Sequence, residues 1–372
     1  MAYVAAKGGE AAIQEAENLF HTLKGGLSRG LVASIEETMP YLLDRVMGEA
    51  SLYSPTLAAL ALAQSGGDLY EAVLLLRAYR STQPRLAYAE VVTAEEMLIV
   101  RRISAAFKDI PGGQILGPTL DYSHRLLRID VLDNDDAPIE TEEVAPADEP
   151  APANYPFVAD WQRTQNLINP LPESDEPVNP ADIPDLTRGP LLIPADRAHR
   201  LQSLARADTG GVLSLGYANM RGYGGVHPTV NEVRLAHTDV KLKHPITGAE
   251  FSLGRIRTSQ CEVVSTFAGT PEKPQLELGF CATMGWNEVK TIAGSMLDLA
   301  MDKPAPHPAH EEEFVLYHTE VVESSGFCIH YKLPHYVTFN STLDNMRQVM
   351  KVSGWLRTPD DQEKTAKPLQ SV

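Results

Sequence analysis

Apolar and polar residues alternate with a helical period through most of the chain before residue 108. The stretch SPTLAALALAQSGG predicts a helix with Ser54 as its N-cap, Pro55 at the first helical position and Gly66-Gly67 as its stop. The stretch DLYEAVLLLRAYRST predicts a second helix, with Asp68 as its cap. Both starts are therefore marked by side chains that accept hydrogen bonds from free backbone amides.

The same reasoning extends the helical part in both directions. The stretch TAEEMLIVRRISAAF predicts a further helix, because Thr93 and Glu96 are spaced as a capping box. Apolar periodicity near residues 10–23 and 40–49 predicts two earlier helices. The N-terminal part is thus predicted to be a bundle of roughly five helices.

After residue 190 the pattern changes to short segments rich in β-branched and aromatic residues. These segments predict strands, and their sequences are FSLGRIRTSQCEVVSTF, EFVLYHTEVV, FCIHYK and HYVTF. One helix is predicted near 286–301 and a last one near 342–352, before a polar tail. The predicted fold class is therefore α+β, a helical N-terminal part followed by a mixed, sheet-rich C-terminal part.

An acidic, proline-rich segment lies between these two parts. Residues 133–185 hold 14 acidic residues against one basic residue, Arg163, and they carry −13 of the formal net charge of −17. Such a composition does not bury enough apolar surface to order itself, so we expect a loosely ordered insertion with local order near Trp161. The predicted domains are a helical domain with a glycine-rich loop at 1–130, the insertion at 131–190, an α+β domain at 191–356 and a polar tail at 357–372.

Composition argues against several classes of protein. No apolar run approaches the length of a membrane span, and the N-terminal stretch lacks the pattern of an export signal. Cys261, Cys281 and Cys328 are too few for a disulfide framework or a four-thiolate zinc site. No basic patch supports binding to nucleic acid. We therefore expect a reducing, cytoplasmic setting, with neither membrane nor nucleic acid as a partner.

The densest polar and glycine-rich stretch is KDIPGGQILGPTLDYSHR, residues 108–125. Its glycines allow close approach of the backbone, and Lys108, His124 and Arg125 supply positive charge for an anionic substrate. No Gly-Lys-Ser/Thr sequence follows, so the stretch is not a Walker-type phosphate loop. The alternative is an interdomain loop whose Asp109 and Asp121 bind nearby backbone amides.

A second glycine-rich loop, RGYGGVHP, spans residues 221–228. Its backbone amides are able to form an anion nest, and Arg221 can bind phosphate through two hydrogen bonds. Tyr223 and His227 flank the glycines, and we predict substrate-binding roles for all three side chains. The alternative is a glycine-rich turn with an exposed arginine.

Two histidines, His330 and His335, lie in the stretch GFCIHYKLPHYVTF. Their offset places them on different faces of a helix or of an unbroken strand, and Pro334 disfavours both elements. A bend at 332–334 would bring both imidazoles to one point, where they would serve as metal ligands or catalytic groups. The alternative is a pair of histidines that hydrogen-bond across a β-hairpin.

Four longer stretches together resemble the PhnI family of the bacterial carbon–phosphorus lyase core complex. They are YVAAKGGEAAI, RRISAAFKDIPGGQILGPTLDYSHRLL, RGYGGVHP and EEFVLYHTEVVESSGFCIHYKLPHYVTF, and they occur in family order. HYKLPH stands here in place of the family's HLKLPH-like motif. The resemblance therefore implies that His330 and His335 lie at the interface with PhnJ and hold zinc.

The resemblance also implies a transferase that acts at the start of phosphonate breakdown. In this nucleosidase-like step a phosphonate such as methylphosphonate displaces adenine from C1′ of MgATP, giving alpha-D-ribose 1-methylphosphonate 5-triphosphate. The implied partners are PhnG-, PhnH-, PhnJ- and PhnL-type subunits, in a hetero-oligomer with two copies of the chain. The implied cofactors are Mg²⁺ with ATP and Zn²⁺ at the two histidines, while radical cleavage of the C–P bond belongs to the PhnJ-type subunit.

Two other interpretations are kept beside the transferase. A scaffold subunit would use its histidines to complete the PhnJ-type site without chemistry of its own. A stand-alone zinc hydrolase would need a third ligand, and the sequence offers none near the pair. In the transferase interpretation, Lys108, Arg125, Arg221 and His227 are the hypothetical grips on phosphate or phosphonate.

Overall fold

The computed structural model describes residues 8–93, 96–132, 155–169, 180–223, 227–270, 273–333 and 336–354. Contacts divide the chain into a main unit, residues 27–324, and a terminal unit, residues 1–26 with 325–372. The centre of the acidic segment, the middle of RGYGGVHP, His335 and the polar tail lie outside the described residues. The helices are α1 (Gly9–Lys24), α2 (Arg29–Thr38), α3 (Pro40–Ala50), α4 (Pro55–Gln64), α5 (Leu69–Ser81), α6 (Val158–Thr164), α7 (Arg197–Arg206), α8 (Thr209–Ala218), α9 (Glu288–Met301), α10 (Glu312–His318), α11 (Val321–Ile329) and α12 (Tyr336–Val352).

The main unit is built around a four-stranded antiparallel sheet in the order β1-β2-β3-β4. A short turn joins β2 to β3, where the His244 amide donates to the Ala249 carbonyl oxygen at 2.9 Å. Alternation along the strands puts apolar residues on one face, with Cys261 opposite Val233 on one side and Cys281 on the other. The strands are β1 (Met97–Ile103), β2 (Thr229–Lys243), β3 (Glu250–Thr270) and β4 (Lys273–Met284).

Helices α2 to α5 of the main unit surround a leucine- and alanine-rich core that includes Leu43 and Val73. The caps predicted for α4 and α5 are confirmed. The Ser54 hydroxyl accepts a hydrogen bond from the third amide of α4, and the Asp68 carboxylate accepts from amides in the first turn of α5. The predicted helices at 10–23 and 40–49 are also confirmed, whereas α2 was not predicted.

Helix α9 packs across one face of the sheet, and small residues set how closely it approaches. A Cβ atom added at Gly279 of β4 would lie 2.7 Å from Leu299 Cβ, so only hydrogen fits there. Gly294 of α9 meets Cys281 in the same way, with Sγ 2.6 Å from an added Cβ. Cys261 and Cys281 are buried free thiols in this layer, and burial raises the pKa of each.

The opposite face of the sheet carries a buried charged cluster. Arg102 of β1 and Arg234 of β2 both form ion pairs with Glu232. Both guanidinium groups also donate to the carbonyl oxygen of Pro156 at 2.8 Å. The segment that leads into α6 therefore covers this face, and the local order predicted near Trp161 is confirmed.

In the terminal unit, two helices present apolar side chains to solvent. Helix α1 has no buried residue, and its Leu19 and Leu23 are exposed. Helix α12 exposes Phe339 and Val349. None of the helices in the part of the chain that the structure describes combines the length and apolar character needed to cross a membrane.

The helix predicted from the Thr93 capping box is wrong, because residues 97–103 form strand β1. The local turn is nevertheless present, since the Thr93 amide donates to Glu96 Oε2 at 2.8 Å. Lys241 of β2 binds the other oxygen of that carboxylate, and the residues that follow pair with β2. Cross-strand pairing has thus outweighed a local capping signal. The glycine-rich stretch at 108–125 consequently follows a strand and not a helix.

The strands predicted after residue 311 are wrong as well. EFVLYHTEVV and FCIHYK form α10, α11 and a 3-10 turn at His330–Lys332, and the described residues of HYVTF, from Tyr336 onwards, begin α12. Val315 and Leu316 are fully buried in the core beneath α9, and this packing overrides the strand preference of β-branched and aromatic residues. The helix at 286–301 and the last helix are confirmed, as is the α+β fold class. The domain boundaries stay a prediction.

Candidate active site

A cleft of about 330 Å³ opens in the main unit beside the N-terminus of α9. Its size is near the lower end of the range for small-molecule sites in proteins. Five parts of the fold form its walls, namely α3, the loop after β1, Leu235 of β2, the start of α8, and the start of α9 with the two residues before it. The polar and aromatic side chains that line it are Tyr41, Arg45, Thr119, Asp121, Arg125, Thr209, Trp286, Asn287, Glu288 and Lys290.

The loop after β1 reaches the cleft because it folds back along its own strand. Ile115 and Arg102 exchange two backbone hydrogen bonds of 2.8 Å. Gly117 has a φ of +57° and packs against the backbone of Arg101, where a Cβ atom would lie 2.6 Å from that residue's own Cβ. The Arg101 side chain then donates to the Leu116 carbonyl oxygen and pairs with Glu288 at 2.7 Å. This fold brings the end of the stretch 108–125 to the start of α9.

The first turn of α9 is fixed by polar contacts on both sides. Trp286 Nε1 donates to the Ala236 carbonyl oxygen at 3.1 Å. Asn287 Nδ2 donates to the carbonyl oxygens of Asp44 and Met284, at 3.0 and 2.8 Å. The Asn287 side chain therefore does not cap α9. The amides of this turn point to the cleft end of the helix, where its dipole favours an anion.

Lys290 lies at the base of the cleft and is only 1% exposed. Its Nζ donates to the Ala205 carbonyl oxygen at 2.7 Å. Burial lowers the pKa of this ammonium group to about 8, and the nearby carboxylate of Glu49 opposes that shift. The cleft therefore contains a desolvated cation that an anionic ligand would stabilise.

Arg45 links the cleft to two carboxylates beneath it. Its Nε pairs with Glu49 at 2.9 Å and its Nη2 with Asp208 at 3.2 Å. Glu49 also accepts hydrogen bonds from the amide and hydroxyl of Thr209, and Asp208 caps α8 by accepting from the Gly211 amide at 2.7 Å. These carboxylates are thus occupied by donors of the protein itself.

Arg125 is the predicted phosphate grip that lines this cleft. It is exposed, has a φ of +52° and forms an ion pair with Asp121. A hydrogen bond from Thr119, together with Arg125 and Arg101, holds the pKa of the Asp121 carboxyl below its usual value. The pair lies in solvent, so it is weak, and a phosphate group would replace Asp121 as the partner of Arg125 at little cost.

The other predicted grips have different neighbours. Lys108 and His124 are exposed on the loop after β1. Arg221 and Tyr223 lie in the turn after α8, with the Arg221 guanidinium 5.9 Å from the ring centroid of Tyr217 and the Tyr223 ring 5.0 Å from that of His307. His227, also predicted as a grip, is exposed just before β2. None of these five residues lines the cleft.

His330 belongs to the terminal unit, where it opens a 3-10 turn after α11. The β-hairpin, which was the alternative interpretation, is therefore not formed at this position. The half-buried imidazole of His330 lies between aromatic rings, with centroids 5.3 Å from Phe327 and 4.0 Å from Tyr331. His335 lies outside the described residues, and within those residues no group of three or more His, Cys, Asp or Glu side chains is placed to hold a metal ion. Metal binding by this pair stays a prediction.

Comparison with known proteins decides the family. Residues 2–353 match the family described as bacterial phosphonate metabolism protein (PhnI). The chain belongs to the PhnI family. Its resemblance to PhnI proteins, predicted from four long sequence stretches, is thereby confirmed.

Three relatives align with this chain over almost their whole lengths. The putative C-P lyase subunit protein HtxH of Stutzerimonas stutzeri is 44% identical over 93% of this chain and 95% of the relative. The alpha-D-ribose 1-methylphosphonate 5-triphosphate synthase subunit PhnI of Rhizobium meliloti (strain 1021) is 42% identical over 94% and 95%. The protein of the same name from Escherichia coli (strain K12) is 40% identical over 94% and 98%.

Of the residues predicted to bind substrate in this PhnI protein, Arg125 lines the cleft, whereas Arg45, Trp286 and Lys290 line it and were not predicted. Lys290 had a detectable signal, because it lies on the buried face of α9, three residues before Ala293 and seven before Leu297. A lysine on an apolar helical face needs a partner or a function. Arg45 and Trp286 had no such signal, because only the tertiary fold brings α3 next to the start of α9.

Proposed function

We propose that this chain is a synthase subunit that forms alpha-D-ribose 1-methylphosphonate 5-triphosphate. A phosphonate oxygen forms a bond to C1′ of the ribose of MgATP, the bond from C1′ to adenine breaks, and adenine leaves with a proton. The triphosphate stays on the product. Two relatives that align over nearly the whole chain are named as subunits of this synthase, which supports the proposal.

The observation that carries a site for this step is the convergence of Arg45, Arg125 and Lys290 beside the start of α9. A triphosphate with Mg²⁺ needs cationic side chains and backbone amides, and this cleft offers both. Trp286 and Tyr41 supply aromatic surface for the adenine ring on the same cleft. We therefore assign the nucleotide to this cleft, with Arg125 as the exposed phosphate grip.

Lys290 has an electrostatic role in this proposal. A bound triphosphate would raise the pKa of the ammonium group from about 8, because a nearby anion favours the charged form. As adenine leaves, oxocarbenium character would develop at C1′. The two carboxylates beneath the cleft, Glu49 and Asp208, are already bonded to Arg45 and Thr209. Adenine departs more easily when cations neutralise the phosphate groups and hold them in a fixed position.

Partner subunits fit the terminal unit. The relatives are named as subunits, and the exposed apolar residues of α1 and α12 suit coverage by other chains. We propose contacts with PhnG-, PhnH-, PhnJ- and PhnL-type subunits in a cytoplasmic hetero-oligomer with two copies of the chain. His330 and His335 would give two nitrogen ligands to Zn²⁺, with the remaining ligands from a PhnJ-type partner.

The experiment compares adenine release by two arginine variants in the assembled complex, with MgATP and methylphosphonate. Arg125→Gln should lower the rate by about tenfold or more, since a charge-assisted contact to phosphate is worth about 1.5–3 kcal/mol. Arg128→Gln is the matched control, because Arg128 is also exposed and ion-paired, but to Asp130 outside the cleft. Equal rates for both variants would show that the nucleotide does not bind in the cleft.

The scaffold remains the second candidate function, and the assignment of His330 to the terminal unit, while the cleft belongs to the main unit, favours it. A scaffold would support C–P cleavage without contributing to adenine release. Adenine release that persists at an unchanged rate when this chain is left out of the subunit mixture would support the scaffold and exclude the transferase.

A further inference from the structure

A second cavity, of about 450 Å³, lies in the main unit beyond the C-terminal end of α5. Three arginines, Arg80, Arg85 and Arg188, line one part of it. Aliphatic side chains of the sheet line another part, including Leu242 and Leu253. It shares no lining residue with the cleft beside α9. Charge and apolar surface therefore meet in one concave site, as in many sites for small organic ligands.

Arg80 is the unusual member of this group. It is half-buried, and in the part of the chain that the structure describes its side chain makes neither a hydrogen bond nor an ion pair. Burial is the main factor that lowers its pKa, the nearby carboxylate of Asp185 opposes that shift, and the neighbouring Arg85 and Arg188 lower the pKa further. A partly desolvated guanidinium group next to two like charges is unfavourable unless an anion forms an ion pair with it.

Asp185, the carboxylate that interacts with Arg80 and Arg85, already accepts hydrogen bonds on both of its oxygens. Asp185 accepts a hydrogen bond from the Thr187 amide at 2.9 Å through one carboxylate oxygen, and its other oxygen pairs with Arg85. Among the described residues, the Arg188 side chain donates to a single acceptor, the backbone oxygen of Gln83, at 2.9 Å. The cavity therefore keeps an excess of positive charge, although the whole chain carries a formal net charge of −17.

We propose that this cavity binds a small organic phosphate or phosphonate, with its phosphoryl oxygens on Arg80 and Arg188 and its carbon substituent on Leu242 and Leu253. The planar fork of arginine matches two oxygens of a phosphoryl group, and two such forks suit a dianion. The aliphatic wall favours an organic ligand over inorganic phosphate, because only a ligand with a carbon substituent buries apolar surface against it.

The test uses phenylphosphonate as the probe and titration calorimetry on the full chain without MgATP. All measurements are made in the Arg125→Gln background, so that the cleft beside α9 contributes less to binding. Arg80→Gln should weaken phenylphosphonate binding by about tenfold. Arg128→Gln, which removes one charge elsewhere on the surface, should leave it unchanged. Because the Arg80 side chain makes neither a hydrogen bond nor an ion pair in the described part of the chain, its substitution should not impair folding.

A second variant distinguishes an organic phosphonate from inorganic phosphate as the ligand of this cavity. Leu253→Ser should weaken binding of phenylphosphonate by about threefold or more while leaving binding of inorganic phosphate unchanged. Phenylphosphonate affinity that is the same with and without Arg80, or that falls equally in Arg128→Gln, would overturn the proposal. So would an absence of saturable binding, or equal losses for both ligands in Leu253→Ser. These outcomes do not depend on adenine release, so the assignment of the cleft stands or falls separately.

Discussion

Replacing Lys290 by methionine removes a buried ammonium group while preserving most of the side-chain volume. The lysine is 1% exposed, and burial lowers its pKa from the ordinary 10.5 to about 8. That lowering corresponds to about 3 kcal/mol of unfavourable free energy for the charged form in the folded protein. Methionine avoids it, but leaves the Ala205 carbonyl oxygen without its donor, at a cost of about 1–3 kcal/mol.

The effect of Lys290 on the free energy of unfolding should depend on pH in a defined direction. The folded pKa of Lys290 lies below the unfolded value, so between about pH 8 and 10.5 the unfolded chain binds more protons than the folded one. The free energy of unfolding contributed by this lysine therefore rises with pH through that window. Below pH 8 the burial penalty is fully present. We expect the stability advantage of Lys290→Met over the wild type to shrink by about 2 kcal/mol from pH 7 to 9.5.

Urea unfolding followed by tryptophan fluorescence at pH 7 and pH 9.5 measures this change. Lys243→Met is the matched control, because Lys243 is exposed and a hydrogen bond from its ammonium group to Glu90 raises its pKa. Its stabilising contribution is complete below 10.5, so the difference between this variant and the wild type should be the same at both pH values. If the difference in free energy of unfolding between Lys290→Met and the wild type is also the same at pH 7 and pH 9.5, the reasoning about the buried cation is refuted. Adenine release by Lys290→Met should fall, since the cation serves the site and not stability.

Three further predictions test other parts of the account. Gly279→Ala should destabilise the fold by about 2–4 kcal/mol in urea unfolding, because the new Cβ would collide with Leu299, whereas Gly326→Ala has open space and should be neutral or slightly stabilising. Burial raises the pKa of Glu262 to about 7, so the stability of the wild type should fall relative to Glu262→Gln as pH rises from 4.5 to 7; parallel stability curves across that range would contradict this. His330→Ala should abolish growth on methylphosphonate as sole phosphorus source, and normal growth would remove the histidine from the site.

Local signals in the sequence succeeded where the structure depends on local contacts. Ser54 and Asp68 cap their helices because an N-cap needs only its own first turn. Thr93 and Glu96 also form their local hydrogen bond, yet the chain continues as a strand. The difference lies in β2, which is distant in sequence and supplies the partner for β1.

The candidate site shows the same division. The sequence identified Arg125, because glycine and cation clusters are visible as a pattern. It did not identify Arg45 or Trp286, which reach the cleft only through the packing of α3 against the loop before α9. The family was accessible from long motifs, because such motifs carry far more information than a spacing of two histidines such as His330 and His335.

The central claim is that this chain carries the displacement of adenine by a phosphonate. The most direct test is chromatographic detection of free adenine from MgATP and methylphosphonate, with this chain present or omitted among its partner subunits. We expect adenine only when the chain is present, with a matching amount of alpha-D-ribose 1-methylphosphonate 5-triphosphate that disappears when methylphosphonate is left out. Adenine formed equally without the chain would contradict the account and place the reaction on another subunit.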